Sequence, residues 1–313
     1  MKTRLLLFTL LAGVFSLAAG CNRGHDDTAG PAGRPVVALV VKTLNNPFFI
    51  DMQRGAEEAA QAAGVELLVQ AAEREVDVER QMQIVENLIQ RRVSALIIAP
   101  SGSREIVPVI VKANRAGIPV LIVDTRVDVA ALQAAGGEIV TFIGSDNYEG
   151  GGVAGQFLIE KSGGSAKVAV LEGIPGHETG DARIRGFREA LAGQKDMQVV
   201  ASQPANWERD QGYNVFQNIL QAHPRVNALF AANDMMALGA LEAIAAAGRS
   251  GQITVVGFDA IAEARAAVQQ GTMAATVAQN PTAMGRIAVE TALQVLQGVT
   301  PPAEIPVPIE LVR

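Results

Sequence analysis

The chain has 313 residues, a formal net charge of −6 and an isoelectric point near 5.2. Its 49% hydrophobic and 19% charged residues are typical of a globular protein, and the length fits two domains. The acidic balance gives no basis for nucleic acid or an anionic membrane surface as a partner.

The first 20 residues read as a signal peptide: two basic residues precede an apolar run from Leu5 to Ala19. That run is short for a transmembrane helix, which needs roughly 20 apolar residues. Cys21 follows directly in a pattern that resembles a bacterial lipobox, where the cysteine carries lipid. The alternative is an ordinary signal peptide followed by a stray cysteine. Residues 21–35, rich in Gly, Pro, Asp and Arg, are predicted to be a tether, which puts the protein in the periplasm or at the cell surface.

From residue 36 onward, short apolar runs alternate with segments of helical period. The predicted strands are 36–41, 65–69, 95–99, 119–123, 139–143, 167–171, 198–201, 228–231, 253–256 and 273–278. The predicted helices are 47–63, 78–93, 103–116, 149–161, 181–192, 209–221, 235–247, 262–269 and 282–296. The first helix has clear ends, because Asn46 is a good N-cap, Pro47 a good first residue and Gly64 a good stop.

Strands that are apolar throughout and separated by amphipathic helices indicate parallel sheets covered on both faces. The predicted fold class is therefore α/β, with two doubly wound lobes. No low-complexity segment separates the lobes, so their boundary is expected to be a structural hinge.

Polar and aromatic residues follow many of the strands, at the sheet edge where doubly wound folds bind ligands. Taken singly, the Asn and Asp residues could be helix caps, Arg183 a solvated charge, and Trp207 and Phe258 core residues. Capping does not explain why cations, amides and aromatics gather at one edge. Together they suit a neutral polyhydroxylated ligand, whose hydroxyls pair with carboxylates and amides and whose C–H faces stack on aromatic rings.

No catalytic or metal motif is found, and no cofactor is predicted. His25, His177 and His223 lack metal-ligand spacing, and the chain has no nucleophile elbow and no Walker loop. Gly150, Gly151 and Gly152 lack the Lys-Ser/Thr of a phosphate loop, so they are predicted to allow close packing.

Six segments resemble the pentose- and hexose-binding periplasmic proteins of the ribose-binding class. They are Thr-Leu-Asn-Asn-Pro-Phe-Phe at 43–49, Ser-Asp-Asn at 145–147, Ala-Ser-Gln-Pro-Ala-Asn-Trp at 201–207, Ala-Asn-Asp-Met-Met-Ala-Leu-Gly at 232–239, Val-Gly-Phe-Asp at 256–259 and Ala-Gln-Asn-Pro at 278–281. The resemblance implies a type I periplasmic binding fold whose lobes are joined by three crossings, near 144–145, 279–280 and 308–309. One lobe would hold 36–144 and 280–308, and the other 145–279 and 309–313.

The resemblance also implies a sugar site and a transport role. Hydrogen bonds would come from Lys42, Asn46, Asp124, Arg183, Asn233, Asp259 and Gln279. The rings of Phe48, Phe49 and Trp207 would sandwich the sugar, with Phe258 and Ser145 adjacent. Such proteins are not enzymes; they close on a monosaccharide by hinge motion and dock on a membrane ABC permease.

Three positions depart from the ribose-binding pattern and favour an allose-like subtype. Ala99 stands where the ribose type has asparagine, Thr125 where it has arginine, and Lys42 where it has a small polar residue. Ala99 and Thr125 are expected to free volume at the wall, and Lys42 to reach a hydroxyl across it. An aldohexose such as allose is therefore favoured, with ribose as the alternative.

Three other functions remain as alternatives. A regulator of the lactose-repressor type would need a helix-turn-helix headpiece where this chain has a signal sequence. A sensor role would present sugar or an autoinducer to a chemoreceptor or sensor kinase, and the sequence does not separate it from transport. An enzyme acting on sugar is disfavoured by the missing catalytic motifs.

Overall fold

The computed structural model describes residues 34–313. The predicted signal peptide, Cys21 and nearly all of the predicted tether lie outside the described residues. Within residues 34–313, no helix combines the length and apolar character needed to cross a membrane.

The first of two six-stranded sheets takes five strands from the first half of the chain and one from near its end. Its strands are β1 (Val36–Thr43), β2 (Glu66–Ala72), β3 (Ala95–Ile98), β4 (Val120–Val123), β5 (Thr141–Gly144) and β11 (Glu304–Pro306). They pair in the order β11-β5-β4-β3-β1-β2, and every pairing is parallel.

The second sheet repeats this plan. Its strands are β6 (Ala166–Glu172), β7 (Met197–Pro204), β8 (Ala228–Ala231), β9 (Thr254–Asp259), β10 (Ala275–Ala278) and β12 (Glu310–Val312). The order is β12-β10-β9-β8-β6-β7, parallel except for the antiparallel pairing of β12 with β10.

Helices cover both sheets. The first lobe, as the term is used below, is the first sheet with α1 (Pro47–Ala63), α2 (Val78–Gln90), α3 (Val107–Arg115), α4 (Val129–Ala134) and α10 (Pro281–Leu296). The second lobe is the second sheet with α5 (Asn147–Ser162), α6 (Glu178–Leu191), α7 (Arg209–Ala222), α8 (Asp234–Ala246) and α9 (Ala262–Gln269). The predicted fold class is confirmed.

Strand β1 shows why the strands are apolar at every position. Val37, Leu39 and Val41 belong to one buried cluster, while Ala38 and Val40 belong to another. Since successive side chains of a strand point to opposite faces, both faces of the sheet are buried under helices.

The chain passes between the sheets three times: after β5, between β10 and α10, and between β11 and β12. Helix α10 packs on strands of the first sheet, although it follows a strand of the second. The residue-level lobe boundaries given above remain a prediction.

Helix ends follow local chemistry. The Asn46 side chain accepts a hydrogen bond from the backbone N–H of Phe48, Pro47 is the first residue of α1, and Gly64 ends it at φ 67°. Only a residue tolerant of the left-handed region fits that last position well. The predicted bounds of α1 are therefore confirmed, as are those of α9.

The glycines that open α5 permit close packing. A Cβ added at Gly150 would meet the Phe258 ring, and one at Gly151 would overlap the backbone carbonyl of Arg183 on α6. For Gly152 the nearest atom lies at 4.0 Å, so space is available there. The packing role is confirmed for two of the three, and Gly151 brings α5 against the helix that carries Arg183.

Three short elements escape the sequence prediction: α4, β11 and β12. Each has six residues or fewer, too few for a periodic pattern to emerge. Strand β2 was predicted to end at 69 but continues to Ala72, and this shifts which residues follow it.

Candidate functional site

A narrow cavity lies between the two lobes, at the carboxyl ends of the strands. Its lining residues are Lys42, Asn46, Phe48, Phe49, Glu75, Asp124, Thr179, Arg183, Trp207, Asn233 and Asp259. Nine of these were predicted from the sequence; Glu75 and Thr179 were not. The predicted Ser145, Phe258 and Gln279 lie outside this lining.

Lys42 is the penultimate residue of β1 and is 97% buried, between two carboxyl groups. Its Nζ lies 3.4 Å from Asp124 Oδ2 and 3.8 Å from Glu75 Oε2. Both distances exceed the 2.7–2.9 Å or so of a charge-assisted hydrogen bond. The ammonium therefore keeps hydrogen-bonding capacity for a further partner in the cavity.

The side-chain amide of Asn46 both caps a helix and contacts another residue of the cavity. Its Oδ1 caps α1, and its Nδ2 donates to Glu75 Oε1 at 3.0 Å. One amide N–H remains for other acceptors, because the group has two. Burial raises the pKa of Glu75 to about 7, against the opposing effects of Lys42 and the Asn46 hydrogen bond.

Asp124 follows β4 with φ 65°, and its backbone N–H donates to Ile143. The Thr125 hydroxyl donates to Asp124 Oδ2 at 2.9 Å and accepts from Thr179 at 3.1 Å. Thr125 and Ala99 are fully buried but do not line the cavity. The expectation that they free volume at its wall stays a prediction; in the structure, Thr125 holds Asp124.

Arg183 projects from α6 and is fixed on several sides. Its Nε donates to Asn147 at 2.8 Å, and its Nη1 donates to the Ala232 carbonyl at 2.7 Å and lies 3.4 Å from Asp259 Oδ1. The guanidinium lies over the Phe258 ring, 3.8 Å from its centroid. Phe258 thus supports the cation from behind and contributes no surface to the cavity.

Asp259 ends β9 with φ 110°, a conformation that side chains rarely adopt. Asp234 holds the following turn, because its carboxylate accepts from Ile261 N at 3.0 Å and from the Thr276 hydroxyl at 2.7 Å. Gln279 donates to Asp259 Oδ1 at 2.8 Å. Burial raises the pKa of Asp259 to about 6, opposed by Arg183 and by Gln279.

Aromatic rings supply the apolar part of the lining. Phe48 and Phe49 meet edge to face, 5.3 Å between centroids. Trp207 enters from the loop after β7, and its carbonyl accepts from Asn233 Nδ2 at 3.1 Å. Asn233 also caps α8 through Met236 N. Rings of this kind can cover the C–H faces of a small polar ligand.

His177 and its neighbours link the lobes beside the cavity. The His177 ring contacts the Ser101 carbonyl through Nε2, and Trp207 donates to Nδ1 at 3.4 Å. Glu178 N donates to Ser103 at 3.3 Å. This arrangement requires a neutral imidazole with its hydrogen on Nε2. Burial and then Lys42 lower the pKa of His177 to about 4.

Ser145 and Gln279 lie at two of the crossings between the lobes. Within the described residues, Ser145 Oγ and Gln279 Oε1 are buried without a hydrogen-bond partner. Gln279 acts on the cavity through Asp259. Residues 34–313 contain no cluster of three potential metal ligands.

Comparison with known proteins agrees with this architecture. Residues 37–300 match a family described as periplasmic binding protein domain. The chain is 42% identical to the ribose import binding protein of Escherichia coli (strain K12), over 91% of this chain and 93% of that one. It is 39% identical to the D-allose-binding periplasmic protein of the same strain, over 79% and 80% of the two chains.

A solved structure shows the same fold. An ABC transporter periplasmic solute-binding protein from Actinobacillus succinogenes 130z, with bound D-allose, superimposes with a TM-score of 0.84 and 41% identity. The match covers 89% of this chain and 97% of that one. The chain belongs to the periplasmic binding protein family, and the family implies a periplasmic location. These relatives are solute-binding proteins, which confirms the prediction that the chain is not an enzyme.

Proposed function

We propose that this protein captures one neutral monosaccharide between its lobes and delivers it to the membrane permease of an ABC importer. The observation that carries the proposal is the cavity, where buried cations, carboxyls, amides and aromatic rings from both lobes meet. A sugar offers many hydroxyls to the polar groups and apolar ring faces to the aromatics.

The charges of the lining favour a neutral ligand. Two cations, Lys42 and Arg183, face three carboxyl groups, those of Glu75, Asp124 and Asp259. A sugar acid or sugar phosphate would bring further negative charge into a buried site that has no excess of cations.

The size of the cavity favours a single ring. In this form, the lining residues of the two lobes leave little free space between them. A disaccharide would require the lobes to stay apart, which would break the His177 contact with Ser101.

Among monosaccharides, we favour an aldohexose such as D-allose, with D-ribose as the alternative. Support comes from Lys42, whose ammonium lines the cavity and keeps hydrogen-bonding capacity. The relatives include both a ribose import protein and an allose-binding protein, so the comparisons leave both sugars open.

The attachment and the partners complete the proposal. The mature chain begins at Cys21 with lipid attached, which mass spectrometry of membrane-fraction protein would test; an unmodified Cys21 would overturn it. A chemoreceptor or sensor kinase is a further candidate partner. It would read the same closed form that a permease reads.

The experiment is a thermal-shift screen of neutral pentoses and hexoses, with one sugar acid and one sugar phosphate added, followed by calorimetry. A ligand that binds only the folded state raises the melting temperature with concentration. We expect binding of one neutral monosaccharide and about tenfold or greater weakening in Asp124→Ala. The proposal would be overturned if the charged sugars bound tightly, or if no sugar bound at all.

A further inference from the structure

Glu75 is a cavity residue that the proposed sugar contacts do not include. It lies in the loop between β2 and α2, is 95% buried, and lines the cavity beside Lys42 and Asn46. A carboxyl group this deeply buried needs hydrogen-bond partners for both oxygens.

The two oxygens of Glu75 differ in their surroundings. Oε1 accepts a hydrogen bond from Asn46 Nδ2 at 3.0 Å. Oε2 has Lys42 Nζ as its near cation, but at 3.8 Å, beyond hydrogen-bond range. Oε2 therefore retains the capacity to pair with a group inside the cavity, and Lys42 retains donors on the same side.

A purely structural role explains this arrangement poorly. An ion pair that stabilised the first lobe would place ammonium and carboxylate in direct contact, because only close geometry offsets the cost of desolvating both groups. Burial that raises the pKa of Glu75 to about 7 also means that the ionised group weakens the folded state at neutral pH. A group that costs stability in a binding cavity fits a ligand role.

We propose that Glu75 hydrogen-bonds a sugar hydroxyl through Oε2 and, together with Lys42 and Asn46, determines which monosaccharide the first-lobe end of the cavity accepts. This inference rests on the proposed function. Sugars that lack the paired hydroxyl would leave buried polar groups unsatisfied and would be rejected.

The test pairs variants with ligand analogues. Calorimetry would compare the wild type, Glu75→Ala and the control Glu73→Ala, an exposed residue two positions away. The ligands are whichever of D-allose and D-ribose binds the wild type more tightly, and each of its monodeoxy derivatives. We expect Glu75→Ala to weaken the parent sugar about tenfold or more. For one monodeoxy derivative it should change little, because the hydroxyl is already absent.

The other outcomes are decisive as well. Equal affinity of wild type and Glu75→Ala for the parent sugar overturns the inference and leaves the proposed function standing. An equal loss of affinity for the parent sugar and for every derivative would also overturn the inference, since it would indicate a general effect of Glu75→Ala on the cavity. Failure of the wild type to bind any sugar overturns the proposed function itself. The melting temperatures of the sugar-free proteins check folding, and that of Glu75→Ala should not be lower than that of Glu73→Ala.

Discussion

The two ends of the cavity are built in opposite ways. At the second-lobe end, Arg183 has hydrogen-bond acceptors at 2.7 and 2.8 Å and an aromatic ring behind it. At the first-lobe end, Lys42 lies 3.4 and 3.8 Å from its two carboxylates. One cation is fixed before a ligand arrives, and the other retains its capacity for one. We expect the second-lobe end to supply affinity that is common to many sugars, and the first-lobe end to supply selectivity.

The largest effect should follow from removing the fixed cation. Arg183→Ala leaves the buried Asn147 Oδ1 and the Ala232 carbonyl without their close donor, and Asp259 without its cation. Stability should therefore fall by about 3–5 kcal/mol, and sugar binding should be lost. Chemical denaturation and calorimetry measure the two effects. Arg185→Ala, an exposed change two positions along the same helix, is the control. A fully stable Arg183→Ala protein would show that the structure of the second-lobe end does not depend on the contacts of Arg183.

The support of Arg183 can be disturbed without touching its side chain. A Cβ at Gly151 would overlap the Arg183 carbonyl and push α6 away, so Gly151→Ala should cost about 3 kcal/mol, at the upper end for overpacking. Gly152→Ala is the matched control, since its nearest neighbour is 4.0 Å away and alanine is the better helix former. Equal stability of the two variants in denaturant titrations would contradict the close-packing argument.

Lys42→Ala should act on selectivity more than on stability. Removing a charged hydrogen-bond donor costs about 1.5–3 kcal/mol of binding, and we expect the loss to be larger for D-allose than for D-ribose. Competition calorimetry on both sugars gives the answer, with the exposed Lys112→Ala as control. An equal loss of affinity for the two sugars would show that Lys42 does not determine the selectivity between them.

Acid should weaken the link between the lobes through His177. Its pKa is about 4 in this structure and 6.5 when exposed, so the folded form binds fewer protons and stability falls as pH drops from 6.5 toward 4. At pH 5 the loss is on the order of 2 kcal/mol. Lys42 lowers this pKa and Asp124 raises it. Glu75 and Asp259 act in the opposite direction: their pKa values are raised in the folded protein, so their protonation in acid stabilises it.

The comparison that isolates His177 uses a side chain that does not titrate. His177→Gln can still donate to Ser101 and accept from Trp207, so it should keep the pH 7 stability and lose less between pH 7 and 5 than the wild type. Melting temperatures at the two pH values measure this, with His223→Gln as control. If the melting temperatures of the wild type and His177→Gln fell equally between pH 7 and 5, His177 would not be the cause of the acid sensitivity.

The sequence predicted the fold well because each long element has its own signal. Helix α1 has a cap, a proline and a terminal glycine at its ends, and its predicted bounds needed no correction. Strands β11 and β12 have three residues each and exist because they pair with a sheet edge. That pairing depends on tertiary structure, which local patterns do not encode.

The candidate site was predicted in outline for a similar reason. Residues after parallel strands share one edge, and nine of the predicted residues line the cavity. Glu75 was missed because the predicted strand ends at 69, six residues before it, so Glu75 was not among the residues considered at the strand end. The true end at Ala72 puts Glu75 at the edge. The indirect role of Thr125 depends on its hydroxyl geometry, which strand order does not give.

The position of Trp207 has a practical consequence, since it is the one tryptophan among 313 residues. Its indole is 96% buried beside the cavity and donates to His177 near the contact of His177 with Ser101. Separation of the lobes would admit water to the ring and change its emission. The protein therefore carries an intrinsic fluorophore where the two lobes meet, and stopped-flow fluorescence would report their separation without any label.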